Sequence, residues 1–287
     1  MNPKSLARQI VYRFEMTAQH ARFARLPAPE GGWPALLGIS FPKSGTHLLD
    51  QILLGFSRVA PFSRRVVSFF AGYDGATGRK RSLDETLAWV DGLRPGDVAS
   101  AHLFAWPEVL EHVCSPKFVP FFIYRDPRDV VVSHVFYITE MEPGHVHHRY
   151  YNEVLANFDE RLMTSILGLP DSSVEFPDIA ARFAPYLGWI DRPEVLCLQY
   201  EQFVHDRAGM LERIRDHFLQ RNETVQTPPG LILESLEVSI NPKKSPTFRS
   251  GKTGEWRKYF TEEHKRTFKN VAGDLLVRLG YEKDDNW

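Results

Sequence analysis

The stretch Leu36-Leu37-Gly38-Ile39-Ser40-Phe41-Pro42-Lys43-Ser44-Gly45-Thr46-His47-Leu48-Leu49-Asp50-Gln51-Ile52-Leu53-Leu54 constrains this chain most. A short apolar run rich in strand formers meets Pro42, passes through Lys-Ser-Gly-Thr, and becomes a segment whose apolar residues recur at helical spacing. This pattern spells strand, tight loop, helix. At such a junction the first N–H groups of the helix lack intrahelical acceptors, and the positive end of its dipole faces the loop. Lys43, Ser44 and Thr46 add side-chain donors, so the junction has the makings of a phosphate cradle. It is not the nucleoside-triphosphate loop, whose lysine follows the second glycine at the helix start, because here Lys43 precedes Gly45. A lysine on the strand side of an anion stands where it can reach a bridging or leaving oxygen. The plainer reading of the loop alone is an ordinary strand-to-helix turn with an exposed lysine, and the other stretches have to separate the two.

A chain of 287 residues can bury a substantial core, and a formal net charge of −1 argues against a surface devoted to nucleic acid. Cys114 and Cys197 fall among apolar residues without metal-ligand spacing, so they read as reduced core residues of a cytoplasmic protein. Met1 to Arg25 carries Lys4, Arg8, Arg13, Arg22 and Arg25 but no apolar run long enough for a signal peptide or a transmembrane segment. Leu6, Ile10 and Phe14 recur there every fourth residue, which suits a packed basic helix or one lying on a membrane surface. Pro27 to Pro34 is rich in turn formers and serves as a connector. The expected organisation is an N-terminal helix and connector over 1–35, followed by one domain over 36–287.

Beyond the cradle, Ser57 to Arg81 has no clean period and reads as an irregular segment beside a cleft or a plain surface excursion. Ser82-Leu83-Asp84-Glu85 is a capping box that starts a helix running to about Gly92. Asp97 to Ala101 forms a second strand ending at His102, and Pro107 opens another helix. Phe118 to Tyr124 is a third, buried strand ending at Arg125, with Asp126 as N-cap and Pro127 as first residue of a helix carrying Ser133 and His134. Helices are expected from about Tyr150 to Leu167, from Asp178 to Trp189 and from Asp206 to Arg221, with a fourth strand at Glu194 to Gln199 followed by Tyr200. A loop with Pro242, Pro246, Ser250, Gly251 and Gly254 precedes a closing helix capped by Thr261. The fold class is therefore α/β, with a mainly parallel central sheet, helices on both faces and a P-loop-like anion-binding loop. Ligands of such sheets bind outside the carboxyl ends of the strands. Lys43, His102, Arg125 and Tyr200 stand at those ends.

With these motifs in this order, the chain resembles the cytosolic-type sulfotransferases, which use 3′-phosphoadenosine 5′-phosphosulfate (PAPS). Phe41-Pro42-Lys43-Ser44-Gly45-Thr46 resembles the family's 5′-phosphosulfate loop. Tyr124-Arg125-Asp126-Pro127-Arg128-Asp129-Val130-Val131-Val132-Ser133 resembles its 3′-phosphate segment. Phe248-Arg249-Ser250-Gly251-Lys252-Thr253-Gly254-Glu255-Trp256-Arg257 resembles its late glycine-rich loop. The physical reading of these residues agrees: Arg125 and Arg249 are planar forks for bidentate phosphate contact, and Ser133 lies one turn beyond Asp129 on the same helix. The resemblance implies His102 as general base and Lys43 as counter-charge to the departing nucleotide oxygen, with Ser133 completing the catalytic set. It implies a nucleotide site of Lys43, Ser44, Gly45, Thr46, His47, Arg125, Ser133, Tyr200, Phe248, Arg249, Ser250 and Gly251, with no metal. The implied partner is a small-molecule hydroxyl acceptor: a phenol, lipid, natural product or sugar. Phe69, Phe70, Tyr73, Phe104, Trp106, Phe136 and Tyr137 suggest an aromatic acceptor pocket.

Several positions depart from the family pattern. His47 and Leu48 replace its Thr-Trp adenine contact, which leaves Tyr200 to carry more of that role. Ser100 replaces its lysine two places before the histidine, and Ser250 replaces a basic residue. Glu262 and Arg266 break its short dimer motif, so the oligomeric state stays open. His145, His147 and His148, with Glu140 and Glu142 nearby, read as an acceptor-facing or solvated loop rather than a metal site, since no further ligands recur at zinc spacing. A nucleotide or small-molecule kinase on a related fold is one alternative, opposed by the position of Lys43 and the lack of a Walker-type magnesium carboxylate. A non-catalytic nucleotide-binding relative is the other.

Overall fold

In the computed structural model, which describes residues 3–29, 31–169, 174–222, 225, 227–245 and 251–287, the chain begins with α1 (Pro3–Arg22). The connector then leads into β1 (Ala35–Ser40), the loop Phe41–Gly45 and α2 (Thr46–Gly55), as the junction spells. Every β1 residue is buried, which requires cover on both faces. Ala35, Leu37 and Ile39 enter one apolar layer. Leu36 enters the other, with Leu49, Ile52 and Leu53 of α2. Each fully buried leucine or isoleucine here contributes roughly 1.5–3 kcal/mol. Gly38 lets α2 lie close, because a Cβ there would meet Leu53 Cδ1 at 3.2 Å and Leu49 Cδ2 at 3.3 Å.

Next come β2 (Ser68–Ala71), α3 (Leu83–Asp91), β3 (Val98–His102), α4 (Pro107–Val113), β4 (Phe118–Tyr124) and α5 (Pro127–Phe136). After α6 (Phe158–Leu167) and α7 (Ile179–Phe183), β5 (Leu196–Gln199) completes a sheet of order β2-β3-β1-β4-β5 in which every adjacent pair is parallel. From β1 the chain moves to one side of the sheet for β2 and β3, then to the other for β4 and β5. The crevice at the carboxyl end of β1 is therefore the topological switch point. The chain ends through α8 (Tyr200–His205), α9 (Arg207–Gln220), α10 (Pro229–Ser239), α11 (Trp256–Tyr259), α12 (Glu262–Ala272) and α13 (Leu275–Arg278).

Local signals account for several boundaries. The Ser82 hydroxyl accepts from Glu85 N at 3.1 Å and the Glu85 carboxylate accepts from Ser82 N at 3.0 Å. Asp126 caps α5 through Arg128 N, and Thr261 caps α12 through His264 N. Pro120 is tolerated inside β4 because β5 pairs only from Phe121 onward, and the Pro120 carbonyl on that side accepts from His217 Nε2 at 3.1 Å.

Other expectations differ from the structure. Ser57 to Arg81 contains β2, a four-residue edge strand that pairs with β3 alone and has too few residues to show a period. The helix expected over Tyr150–Leu167 is a π-type turn, Tyr150–Val154, and a separate α6 capped by the Asn157 side chain through Glu160 N. The fourth strand is shorter than expected, and α10 falls in a stretch to which the sequence reading assigns no element. On α1, Ile10 and Phe14 face solvent. The packed face instead holds Met16 and Gln19, whose amide donates to the carbonyls of Ser57 at 2.9 Å and Phe62 at 2.8 Å. Among the described residues no helix is long and apolar enough to cross a membrane. Cys114 and Cys197 are free thiols.

Candidate nucleotide and acceptor cleft

The loop after β1 is bent by two residues in the left-handed region, Lys43 at φ 67° and Gly45 at φ 100°. Only glycine fits the second position, since a Cβ there would lie 2.7 Å from Tyr200 Cδ2. The turn leaves α2 without a side-chain cap on its N-terminus. Ser44 is fully buried, yet its hydroxyl has no hydrogen-bond partner. An orphaned hydroxyl beside uncapped helix N–H groups fits an anion such as a phosphate. Thr46 turns inward instead, its hydroxyl 2.8 Å from Ser40 Oγ.

Lys43, His102, Arg125 and Tyr200 converge on one cavity of about 850 Å³, which Gly45, Thr46, His47, Ser133 and Gly251 also line. Phe248, Arg249 and Ser250 lie outside the described residues. His47 faces Asp50 at 3.9 Å, and burial and the Lys43 charge depress its pKa.

His102 closes β3. Its Nδ1 lies 2.9 Å from the Ser40 carbonyl and 3.1 Å from Ser40 Oγ. A carbonyl only accepts, so Nδ1 carries the proton and Nε2 holds the lone pair. Burial lowers the pKa of this imidazole to about 4, with Lys43 and His47 adding to the shift and the Ser40 contact opposing it. At neutral pH the ring is uncharged. Phe69 meets it edge-on at 5.2 Å.

Burial and the Arg125 charge bring Lys43 down to about 8, and its ammonium rests 3.7 Å from the centre of the Tyr137 ring. Arg125 lies 5.0 Å over the Tyr200 ring, and its Nη2 donates to Asp129 Oδ2 at 3.2 Å and to the Lys252 carbonyl at 2.8 Å. Its buried Nε has no hydrogen-bond partner, with a Glu201 oxygen 4.0 Å away. Asp129, also buried, accepts from Gly254 N at 2.7 Å and Trp256 N at 2.9 Å. One carboxylate thus ties the late glycine-rich loop to the helix that presents Arg125.

The remaining wall carries Phe69, Tyr73, Phe104 and Tyr137 of the expected aromatic set. Phe70 turns to the other side of β2 against Trp89, Trp106 backs Phe104, and Phe136 packs on Phe158 and Tyr259. His134, His145, His147 and Arg182 line this half as well. His148 turns away and donates to the Ile138 carbonyl at 2.6 Å. Among the described residues no cluster of three or more His, Cys, Asp or Glu has the placement to hold a metal ion. Three contributors escape sequence reasoning: Ser40, Asp129 and Arg182. Only Ser40 leaves a local signal, a hydroxyl at the last strand position before the loop.

Similarity to known proteins agrees with this geometry. A Sulfotransferase domain model matches residues 34–280. The chain is 25% identical over 186 residues to flavonol 3-sulfotransferase of Flaveria bidentis, a match covering 55% of each protein and so about half the length of that relative. Its fold resembles mouse sulfotransferase SULT7A1 complexed with PAP (TM-score 0.58, 15% identity, 88% of this chain and 89% of that one). It also resembles retinol dehydratase in complex with androsterone and inactive cofactor PAP (TM-score 0.50, 18% identity, 88% and 82%). A domain match over nearly the whole chain, on a parallel sheet whose carboxyl edge gathers these cations and this imidazole, makes the protein a member of the sulfotransferase family.

Proposed function

We propose that the protein transfers a sulfuryl group from PAPS to a hydroxyl of a small-molecule acceptor, in line, with His102 as general base. The observation carrying this reading is the fixed tautomer of His102, whose Nδ1–H is committed to Ser40 and whose Nε2 is left as a neutral acceptor in the cleft. When bound, PAPS supplies the activated sulfuryl group and a bisphosphate that departs from it. Lys43, Ser44, Gly45 and the N-terminus of α2 hold the 5′ end; Arg125, Ser133 and Gly251, with Phe248, Arg249 and Ser250, hold the 3′ end. Tyr200 and His47 border the base. His102 Nε2 takes the acceptor hydroxyl proton, a contribution of roughly 10²–10⁴ in rate. The Lys43 ammonium offsets charge growing on the departing oxygen. The free thiols of Cys114 and Cys197 favour a reducing, cytoplasmic setting.

Initial rates with labelled PAPS and a panel of hydroxylated acceptors test the proposal. His102→Ala is expected to lose at least about a hundredfold in turnover while keeping affinity for 3′,5′-bisphosphoadenosine, and Lys43→Ala to lose both. Undiminished turnover in His102→Ala removes the base from its role. Calorimetric binding of ATP tighter than 3′,5′-bisphosphoadenosine, with a magnesium requirement, replaces sulfotransfer by phosphotransfer.

A further inference from the structure

Arg182 of α7, which is partly buried, does not fit the pattern of the buried Arg128 and the partly buried Arg221. Arg128 is paired with both Asp126, at 2.8 Å, and Glu282, at 2.6 Å. Arg221 donates to the carbonyls of Ser115, Phe118 and Glu194. Arg182 lines the cleft, donates through Nη2 to the Ser165 carbonyl and lies 4.5 Å over the Phe176 ring. Its Nε is buried without a partner, and among the described residues no carboxylate pairs with it within 4 Å. Asp178, one turn earlier, uses its carboxylate to cap α7 through Ala181 N at 2.8 Å. Desolvation lowers the pKa of the partly buried Arg182 to about 10, and the Asp178 charge offsets this only in part without pairing with it; a ligand that brings an anion into contact would remove the remaining cost.

The groups around it point the same way. His134 stacks on Phe176 at 4.9 Å, and His147 lies 5.1 Å from the same ring. His145 Nδ1 accepts from His147 N at 3.2 Å, so its Nε2 carries the proton and is a donor. Burial lowers all three imidazoles, His145 to about 4, and they add donors and polarisable surface without adding negative charge. The carboxylates on the cleft wall are elsewhere engaged or outside: Asp74 accepts from Ala76 N and Thr77 N, and Glu175 is exposed at the rim.

We propose that this wall binds an anionic group on the acceptor, a carboxylate, phosphate or sulfate carried besides the hydroxyl, with Arg182 as its counter-ion and His145 as a second donor. The inference rests on reading this half of the cavity as the acceptor side. It makes the acceptor a hydroxy acid or a phosphate or sulfonate analogue of one, with its hydroxyl at His102 and its anion at Arg182. No bond is formed or broken at Arg182, which is a binding residue.

Matched probes test this: 3-(4-hydroxyphenyl)propanoate and longer hydroxyaryl acids against their primary amides, with 4-hydroxyphenyl phosphate and 4-hydroxybenzenesulfonate as the other anions. Titration into protein saturated with 3′,5′-bisphosphoadenosine reads binding without turnover, and initial rates with PAPS read transfer. At least one anion is expected to bind about tenfold or more tightly than its neutral counterpart, the scale of a charge-assisted contact. Arg182→Gln is expected to abolish that preference by raising KM for the anion at nearly constant kcat and by much more than for the amide, and Arg182→Lys to keep part of it. The order among carboxylate, phosphate and sulfonate tells which anion the site takes. Amides binding as well as every anion in the unaltered protein overturn the inference, whether or not the variant folds, and so does a preference that survives in Arg182→Gln. Anion binding that depends on Arg182 without any sulfation supports the inference and counts against sulfotransfer instead.

Discussion

Lys43→Met tests whether the cradle keeps a cation under strain until an anion arrives. Burial first, then the Arg125 charge, lower Lys43 from its ordinary 10.5 to about 8. Below pH 8 folded and unfolded chains are both protonated here, and the folded state carries the full cost of holding the charge. Between 8 and 10.5 the unfolded chain binds more protons, so stability rises with pH, and above 10.5 the cost is gone. The shift corresponds to about 3 kcal/mol at most, and partial solvent access and the Tyr137 contact reduce that to ~1–2 kcal/mol. Methionine keeps an unbranched stem at the same backbone angle and removes the charge. For a chain of this size each kcal/mol moves Tm by about 2–4 °C, so Lys43→Met is expected to melt ~2–8 °C higher at pH 7. At pH 9.5 the unaltered protein has already shed the buried proton, and the gap is expected to shrink by more than half. In thermal unfolding followed by circular dichroism, 3′,5′-bisphosphoadenosine should raise Tm of the unaltered protein more than that of the variant. A variant that melts lower at pH 7, or an offset equal at both pH values, refutes the reasoning.

The same two ionisations shape activity: kcat/KM for PAPS is expected to hold between about 4, where burial has placed His102, and about 8, where Lys43 loses its proton. Above 8 it should fall about tenfold per pH unit, and Lys43→Arg should remove that limb while lowering the plateau; an unchanged alkaline limb in the arginine variant assigns it to another group. Gly45→Ala forces a Cβ to within 2.7 Å of Tyr200 Cδ2 and strains a left-handed backbone by about 1–2 kcal/mol, so calorimetry should show bisphosphate affinity reduced about tenfold or more. Wild-type affinity in that variant means that the loop does not need its bend.

The cradle was legible because its parts are contiguous: strand, Lys43, Gly45 and helix follow one another within a few residues, and local rules act at that range. The strand ends at His102 and Arg125 were legible for the same reason, each closing an apolar run. β2 was not, since four residues at a sheet edge, with Phe69 half outside, carry no period. The break between Tyr150 and Phe158 escaped because the helical pattern continues across it, while Asn157 restarts the backbone as a cap. Ser40, Asp129 and Arg182 owe their roles to residues 62, 125 and 17 positions away, contacts that only the folded chain creates. Phe248, Arg249 and Ser250 rest on the resemblance alone.

The charges of Arg125-Asp126-Pro127-Arg128-Asp129 look alike in sequence and separate completely in space. Helical spacing puts Asp129 beside Arg125, which lines the cleft; the buried Asp129 holds Gly254 and Trp256 by their N–H groups, and Arg125 holds the Lys252 carbonyl. Arg128 turns into the core, 4.1 Å from the Trp256 ring and 4.4 Å from that of Trp287, with its charge met by Asp126 and Glu282. Trp256 therefore joins both arrangements: its N–H is fixed by Asp129 and its indole by Arg128. The start of α5 and residues 252–256 are thus joined through Arg125, Asp129 and Arg128. Against that standard Arg182 stands apart. Where this fold needs an arginine for structure, it supplies two carboxylates, as for Arg128, or three carbonyls, as for Arg221. Among the described residues Arg182 has one carbonyl and the face of Phe176, and it lines the cleft with its Nε unpartnered, which is why the anion-binding role is proposed for it and not for the other two.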